Sequence, residues 1–347
     1  MTPTHPLRDV LLKVCAREDL TRDDARAAFL AIMSGEAPEA VVGGLLVGLA
    51  AKGTTVDELV GAASVMREKA VPVDCGTAAG GVILDTCGTG GSVLRRGGMF
   101  NVSTASALIA AGAGVKVVKH GNRSASSKAG SADVLEKLGV RLEATPRQMT
   151  QCLETAGLCF AFARSHHPAM KFVAPVRTAL GIPTIFNLLG PLTNPAKARH
   201  QVLGVFAPEL TGKLAQVLRD LGSERAWVVY AEDGLDELST LGPSRVGELK
   251  DGHVTNWTLD PKSLGLEYGR LGDLQVANVD EAAVAMRAVL AGEKGPRRDI
   301  AVLNAAAALV VAGRVKELRE GLTVAAESLN SGRARQALET LVRESNA

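Results

Sequence analysis

Three short segments combine residue types and spacings that can do chemistry on an anion. Asp85-Thr86-Cys87-Gly88-Thr89-Gly90-Gly91 follows the apolar run Val82-Ile83-Leu84, which reads as a short buried strand. Glycines there let backbone N–H groups turn toward an anion, and a following helix adds the partial positive charge of its N-terminus. Asn101-Val102-Ser103-Thr104 opens such a helix with three polar side chains. The loop is neither a Walker A motif nor a G-x-G-x-x-G fingerprint, and an ordinary strand-to-helix turn with a Ser/Thr cap would look the same. The second segment, Lys119-His120-Gly121-Asn122-Arg123-Ser124-Ala125-Ser126-Ser127-Lys128, gathers cations and hydroxyls just past another strand. Open parallel sheets bind ligands at such strand ends, and this donor set suits phosphate or pyrophosphate. A solvated basic loop is the plain alternative; a nucleic-acid patch fits poorly, because no aromatics are interleaved to stack on bases. The third is Asp236-Glu237 within Asp233-Gly234-Leu235-Asp236-Glu237-Leu238. Adjacent carboxylates in a loop can hold Mg²⁺, which prefers hard oxygens and keeps several waters. Alone they make a solvated acidic turn; a phosphate-binding loop elsewhere gives a cation there something to bridge.

No catalytic dyad or triad accompanies these segments. The six histidines have no metal-ligand spacing, although His166 and His167 are adjacent at a helix start. Five scattered cysteines, an odd number without C-x-x-C spacing, argue against a disulfide framework and a zinc site. They read as buried small hydrophobes in a reducing cytoplasm. Charges in the first twenty residues leave no signal-peptide core, and no apolar run is long enough to cross a bilayer, so a cytoplasmic protein is expected. Lys and Arg (39) nearly balance Asp and Glu (37), which excludes the global basic field of a dedicated nucleic-acid binder. With 37 glycines against seven Phe, two Trp and two Tyr, the core must be built from Ala, Val and Leu.

The elements that must position these residues fall into two classes. Residues 1–72 read as helices only. Thr21 with Asp24 and Thr55 with Glu58 begin two of them, and Val41 to Leu49 forms an apolar face containing Gly43, Gly44 and Gly48, suited to close helix packing or a subunit interface. From 73 to 347 strands and helices alternate, with strands at 82–84, 115–118, 158–162, 201–206 and 226–230. Such alternation predicts an α/β fold: a small N-terminal helical domain plus a larger domain whose mostly parallel central sheet is flanked by helices. A helical insertion near 166–190 breaks the alternation and is expected to join the N-terminal helices. Asn187-Leu188-Leu189-Gly190-Pro191-Leu192-Thr193-Asn194-Pro195 reads as a tightly specified turn.

Taken in order, these segments resemble the anthranilate phosphoribosyltransferase family from the N-terminal helices to about Val342. Lys119-His120-Gly121-Asn122-Arg123 combined with Phe186-Asn187-Leu188-Leu189-Gly190-Pro191 is the specific part of the match. The resemblance implies transfer of 5-phosphoribosyl from phosphoribosyl pyrophosphate to the amine of anthranilate in tryptophan biosynthesis, with Mg²⁺ and a homodimer made through the helices. It assigns phosphoribosyl pyrophosphate to Gly88, Thr89, Gly90, Gly91, Ser92, Asn101, Val102, Ser103 and Thr104, with Lys119, His120, Gly121, Asn122, Arg123, Ser124, Ala125, Ser126, Ser127 and Ser131. It assigns anthranilate to Gly88, His120, Asn122, His167, Met170, Arg177 and Pro191, and the metal to Ser103, Asp236 and Glu237. The chain departs from the family at Ser92, where Asp is usual, at Met99, where Thr or Ser is usual, and in a lengthened stretch Val93–Met99. Arg95 and Arg96 in that stretch either supply charge to pyrophosphate or form an exposed pair. A pyrimidine nucleoside phosphorylase and a non-catalytic nucleic-acid-binding relative of the same fold are the competing readings; the first prefers inorganic phosphate and a nucleoside, the second a basic surface.

Overall fold

The computed structural model describes residues 7–78, 80–92, 94, 97–124 and 128–347. Its chain divides into two compact units, one of residues 1–71 with 164–195 and one of 72–163 with 196–347.

The first unit is helical. Its N-terminal helices are α1 (Arg8–Cys15), α2 (Arg22–Met33), α3 (Glu39–Lys52) and α4 (Val56–Lys69). Reciprocal caps start α2 and α4: Thr21 accepts from Asp24 N while Asp24 accepts from Thr21 N, and Thr55 and Glu58 do the same. Glu58 is fully buried, yet it also accepts from Leu20 N at 2.9 Å and pairs with Lys52 at 2.9 Å, so its charge is compensated twice. The small-residue face of α3 packs within the chain. A methyl added at Gly44 would lie 3.4 Å from Leu11 on α1, and one at Gly48 would run into Val14. The inserted segment contributes Ala163–His166, a 3₁₀ turn at Pro168–Phe172, Ala174–Leu180 and Phe186–Leu189.

The second unit is built on a seven-stranded sheet of order β3-β2-β1-β4-β5-β6-β7. Five strands are parallel: β1 (Ile83–Gly88), β2 (Lys116–Gly121), β3 (Leu158–Phe162), β4 (His200–Gly204) and β5 (Arg225–Ala231). The antiparallel hairpin β6 (Ser244–Lys250) and β7 (His253–Leu259) extends one edge, a feature absent from the strand pattern above. Its signal is the dipeptide Asp251-Gly252, both residues at positive φ, which is the chemistry of a two-residue hairpin turn. β7 is largely exposed on an edge, so it lacks the continuous apolar run that marks the parallel strands.

Small residues let the helices close over this sheet. In the helix Pro296–Val311 every residue from Ile300 onward is buried, most of them alanine or valine. Gly321 of a neighbouring helix sits against Ala306, so close that an added methyl would be 3.0 Å from its backbone. A core of Ala, Val and Leu thus replaces aromatic bulk with close backbone approach. Cys75, Cys87, Cys152 and Cys159 are buried, as expected of small hydrophobes; Cys15 is exposed at the end of α1 and corrects that reading for one position.

Candidate functional site

β1 and β4 run in register, with Gly88 opposite Gly204 at their carboxyl ends. The chain then turns over β4, as Thr89 N donates to Gly204 O at 2.8 Å. Gly90 and Gly91 follow at φ 64° and 84°, a left-handed conformation that side chains with a Cβ resist. The acidic turn after β5 descends onto this same spot. A Cβ at Gly88 would lie 2.8 Å from Asp236 Oδ2, and one at Gly204 would run into the Asp236 carbonyl. Two glycines on neighbouring strands therefore make room for one buried carboxylate. Ser92 ties the two loops together: its buried hydroxyl donates to Gly234 O at 2.6 Å.

Lys119 rises from the middle of β2 and is 1% exposed. Its Nζ donates to Thr86 O on β1 at 2.5 Å and to Ser103 Oγ at the start of the helix Val102–Gly112 at 3.2 Å. Thr86 Oγ1 in turn donates to Ser103 O at 2.9 Å, so two strands and a helix start are stitched together around one ammonium group. Asn101 occupies the N-cap of that helix but makes no capping bond; its amide donates instead to Ala129 O at 3.0 Å. Among the described residues, Asn101 Oδ1 and Thr104 Oγ1 are buried with no hydrogen-bond partner. Buried polar atoms left in this state cost free energy unless a ligand or water supplies the partner. Positive helix end, buried ammonium and orphaned polar atoms together make a corner whose chemistry suits an anion.

Two residues not assigned above support this corner. Asp85 is fully buried in β1; its Oδ1 accepts from His120 N at 3.1 Å and its Oδ2 from Gln201 Nε2 at 3.4 Å. Both acceptors brace β2 and β4 against β1. A carboxylate and an amide inside otherwise apolar strands were the available signal. Cys87 also receives Gln201 Nε2 at 3.1 Å, and burial pushes its thiol well above the usual range, which makes it a packing residue rather than a nucleophile.

The basic loop is arranged differently from its sequence pattern. Arg123 pairs with Glu136 at 2.7 Å and Asp133 at 3.1 Å and lies over the Phe162 ring. Those hydrogen bonds raise its pKa above the ordinary guanidinium value, so its charge is already engaged. Asp133 also accepts from Ser124 N and Gly130 N, closing the loop back on itself. Asn122 Oδ1 accepts from Arg123 N, and Ser131 Oγ reaches Asn122 O at 3.4 Å. Ala125, Ser126 and Ser127, together with Val93, Arg95 and Arg96, lie outside the described residues. The end of the lengthened stretch is held by main-chain bonds, Phe100 N to Leu274 O and Val276 N to Gly98 O, with Met99 buried between them.

His167, Met170, Arg177 and Pro191 belong to the helical unit, whereas Gly88, His120 and Asn122 belong to the sheet unit. Burial pushes the His167 imidazole down to about 4, helped by the neighbouring His166. Arg177 is half-buried with its guanidinium 5.4 Å from the centre of the Phe186 ring, and desolvation lowers its pKa. No group of three or more His, Cys, Asp or Glu that could cage a metal occurs among the described residues. No helix among them is long and apolar enough to cross a membrane.

Comparison with known proteins finds two family models, the second of which spans the inserted helical segment as well as the sheet unit. The helical bundle domain of the glycosyl transferase family matches residues 8–70 and the a/b domain of that family matches residues 80–335. An anthranilate phosphoribosyltransferase of Rhizobium meliloti is 50% identical over 341 residues, covering 98% of this chain and 99% of that protein. One from Methylobacterium nodulans is 50% identical over 337 residues, covering 97% and 98%. Among solved structures, anthranilate phosphoribosyltransferase from Thermus thermophilus superposes with TM-score 0.90 at 44% identity, covering 98% of this chain and all of that one. The Saccharomyces cerevisiae enzyme in complex with PRPP and Mg superposes with TM-score 0.86 at 28% identity, covering 98% of each.

Proposed function

The chain belongs to the anthranilate phosphoribosyltransferase family, and on that premise we propose that it transfers the 5-phosphoribosyl group of phosphoribosyl pyrophosphate to the amine of anthranilate, releasing pyrophosphate, in tryptophan biosynthesis. The observation that carries this reading is the convergence of the β1 glycine loop, the buried Lys119–Ser103 contact and the Asp236-Glu237 turn at the carboxyl ends of β1, β2 and β4. High identity over nearly the whole chain favours this transfer over a nucleoside phosphorylase or a nucleic-acid-binding role.

Asp236 and Glu237, with Ser103, would hold Mg²⁺. The donor set fits: two adjacent carboxylates and a hydroxyl are hard oxygens, which suit a cation that shares its shell with substrate phosphates and water. When bound, the ion would neutralise charge that develops on the departing pyrophosphate. Lys119 and the N-terminus of the helix Val102–Gly112 place fixed positive charge beside the same group, preorganised because the surrounding sheet and helix already hold it. Gly88 to Ser92, Asn101 and Thr104 would cradle the phosphates through main-chain N–H groups and the orphaned side-chain atoms, and Asn122, Ser124 and Ser131 would follow the ribose. Arg177 would pair bidentately with the anthranilate carboxylate, and the family resemblance gives His120, Asn122, His167, Met170 and Pro191 to the same substrate. The amine of anthranilate needs placement more than activation toward an oxocarbenium-like carbon, so orientation carries much of the catalysis.

The same proposal includes a homodimer made through the N-terminal helices, supported by the exposed Leu12 of α1 and Val47 of α3, and placement in a reducing cytoplasm, supported by the unbridged cysteines. The direct test is loss of anthranilate fluorescence on mixing the purified chain with phosphoribosyl pyrophosphate and Mg²⁺. Consumption that requires both additions supports the reading; none under any condition defeats it. Light scattering at twice the chain mass checks the dimer.

A further inference from the structure

One polar side chain interrupts the alanine-rich interior of the helix Pro296–Val311. Asn304 is 2% exposed and surrounded along the helix by Ile300, Ala301, Leu303, Ala305, Ala307 and Ala308. An amide is costly in such a place unless all its hydrogen bonds are made. Asn304 makes two of its three hydrogen bonds to a single distant residue. Its Oδ1 accepts from Leu238 N at 3.0 Å and its Nδ2 donates to Leu238 O at 2.8 Å, while the second Nδ2 proton goes to Ile300 O at 2.9 Å. The side chain therefore pairs with both main-chain groups of Leu238, as a neighbouring strand would, although no strand is there.

Leu238 directly follows Asp236-Glu237. On the other side of the pair, Ala231 N donates to Leu235 O at 2.9 Å and Leu235 N to Asp233 Oδ1 at 3.0 Å. The two carboxylates thus sit on a span anchored at one end by its own turn and at the other by Asn304. The buried interior of this helix bonds the residue next to the acidic pair through this amide. Outer contacts of this kind orient carboxylates toward a cation and tune its affinity.

We infer that Asn304 is a positioning residue, holding Leu238 so that Asp236 and Glu237 meet a divalent cation carried on pyrophosphate. The inference rests on the reading of that turn under Proposed function. It predicts that Asn304→Leu and Asn304→Asp, the second keeping only the bond from Leu238 N, weaken Mn²⁺ binding in the presence of pyrophosphate by about 10- to 100-fold, measured by electron paramagnetic resonance. The KM for anthranilate stays within about twofold of the parent, because none of the residues assigned to that substrate lies on the span. An unchanged Mn²⁺ affinity in a folded variant, or an equal loss in the anthranilate KM, overturns the inference. A measurement on the unaltered chain is independent of how the variants fold: Mg²⁺ with pyrophosphate should slow hydrogen exchange at the Leu238 amide, and no change there also overturns it. Failure of the unaltered chain to consume anthranilate would instead defeat the function reading, a separate outcome from either binding result.

Discussion

Gly88→Ala isolates the step in which tertiary structure creates the site. The added Cβ would stand 2.8 Å from Asp236 Oδ2. Relief to an ordinary contact requires a retreat of about half an ångström or more by one partner. Neither partner yields easily: Gly88 is paired through β1 to β4, and Asp236 is fully buried with its carbonyl pressed against Gly204. Overpacking of this size costs about 1–3 kcal/mol of stability. For a unit this large that corresponds to a fall in Tm of roughly 2–10 °C. The effect on turnover is larger, since displacement of a positioned group by an ångström costs about 100-fold, and half of that distance still costs about tenfold. The assay is kcat/KM for phosphoribosyl pyrophosphate from anthranilate fluorescence, with thermal unfolding in parallel. Gly272→Ala is the control: no atom lies within 4 Å of a Cβ at that position, so activity and Tm should both be unchanged. A Gly88→Ala enzyme with parental kcat/KM would refute the claim that the glycine exists to admit Asp236.

Three further outcomes follow from the same geometry. Asp236→Asn with Glu237→Gln should lower kcat by at least about 100-fold while cooperative unfolding is retained, because the charges and not the volumes are removed; steady-state kinetics beside urea unfolding checks both. Ser92→Ala breaks the 2.6 Å bond to Gly234 O and should cost about 1 kcal/mol in urea unfolding, whereas Ser92→Asp sets a carboxylate against that carbonyl and should cost more. His167 is depressed to about 4 by burial, so the unfolded chain binds a proton more readily than the folded one, and stability is lost as pH falls from about 6.5 toward 4. Replacing it with Gln should flatten that part of the stability–pH curve, by roughly 3 kcal/mol at most; an unchanged curve would show that His167 is not desolvated as the fold implies.

The parts of this protein legible in its sequence are those decided over a few residues. Capping boxes at Thr21 and Thr55 and the alternation of apolar runs depend on neighbours a few positions away, and each appears where the local pattern places it. β1, by contrast, runs on through Asp85-Thr86-Cys87 to Gly88, residues that read as loop. The hairpin at Ser244–Leu259 shows the limit: its turn dipeptide is local, but its edge strand is too exposed to carry an apolar signature. Arg123 shows another, since a cation in a basic loop has the same sequence whether it faces a ligand or, as here, Glu136 and Asp133.

What the sequence determined by itself was the class of chemistry, a glycine loop, a basic loop and an acidic pair in the order that marks a family. What only the tertiary structure decided was that the glycine loop, Lys119 and the acidic turn lie close together. Asp236 comes to Gly88 because β1 and β4 lie side by side in register and the turn after β5 folds back over both. Lys119 meets Ser103 because β2 flanks β1 on its other side, and Asn304 holds Leu238 from a helix 66 residues away along the chain. Strand order and register are set by the summed burial of whole elements, a global quantity that no local spacing records.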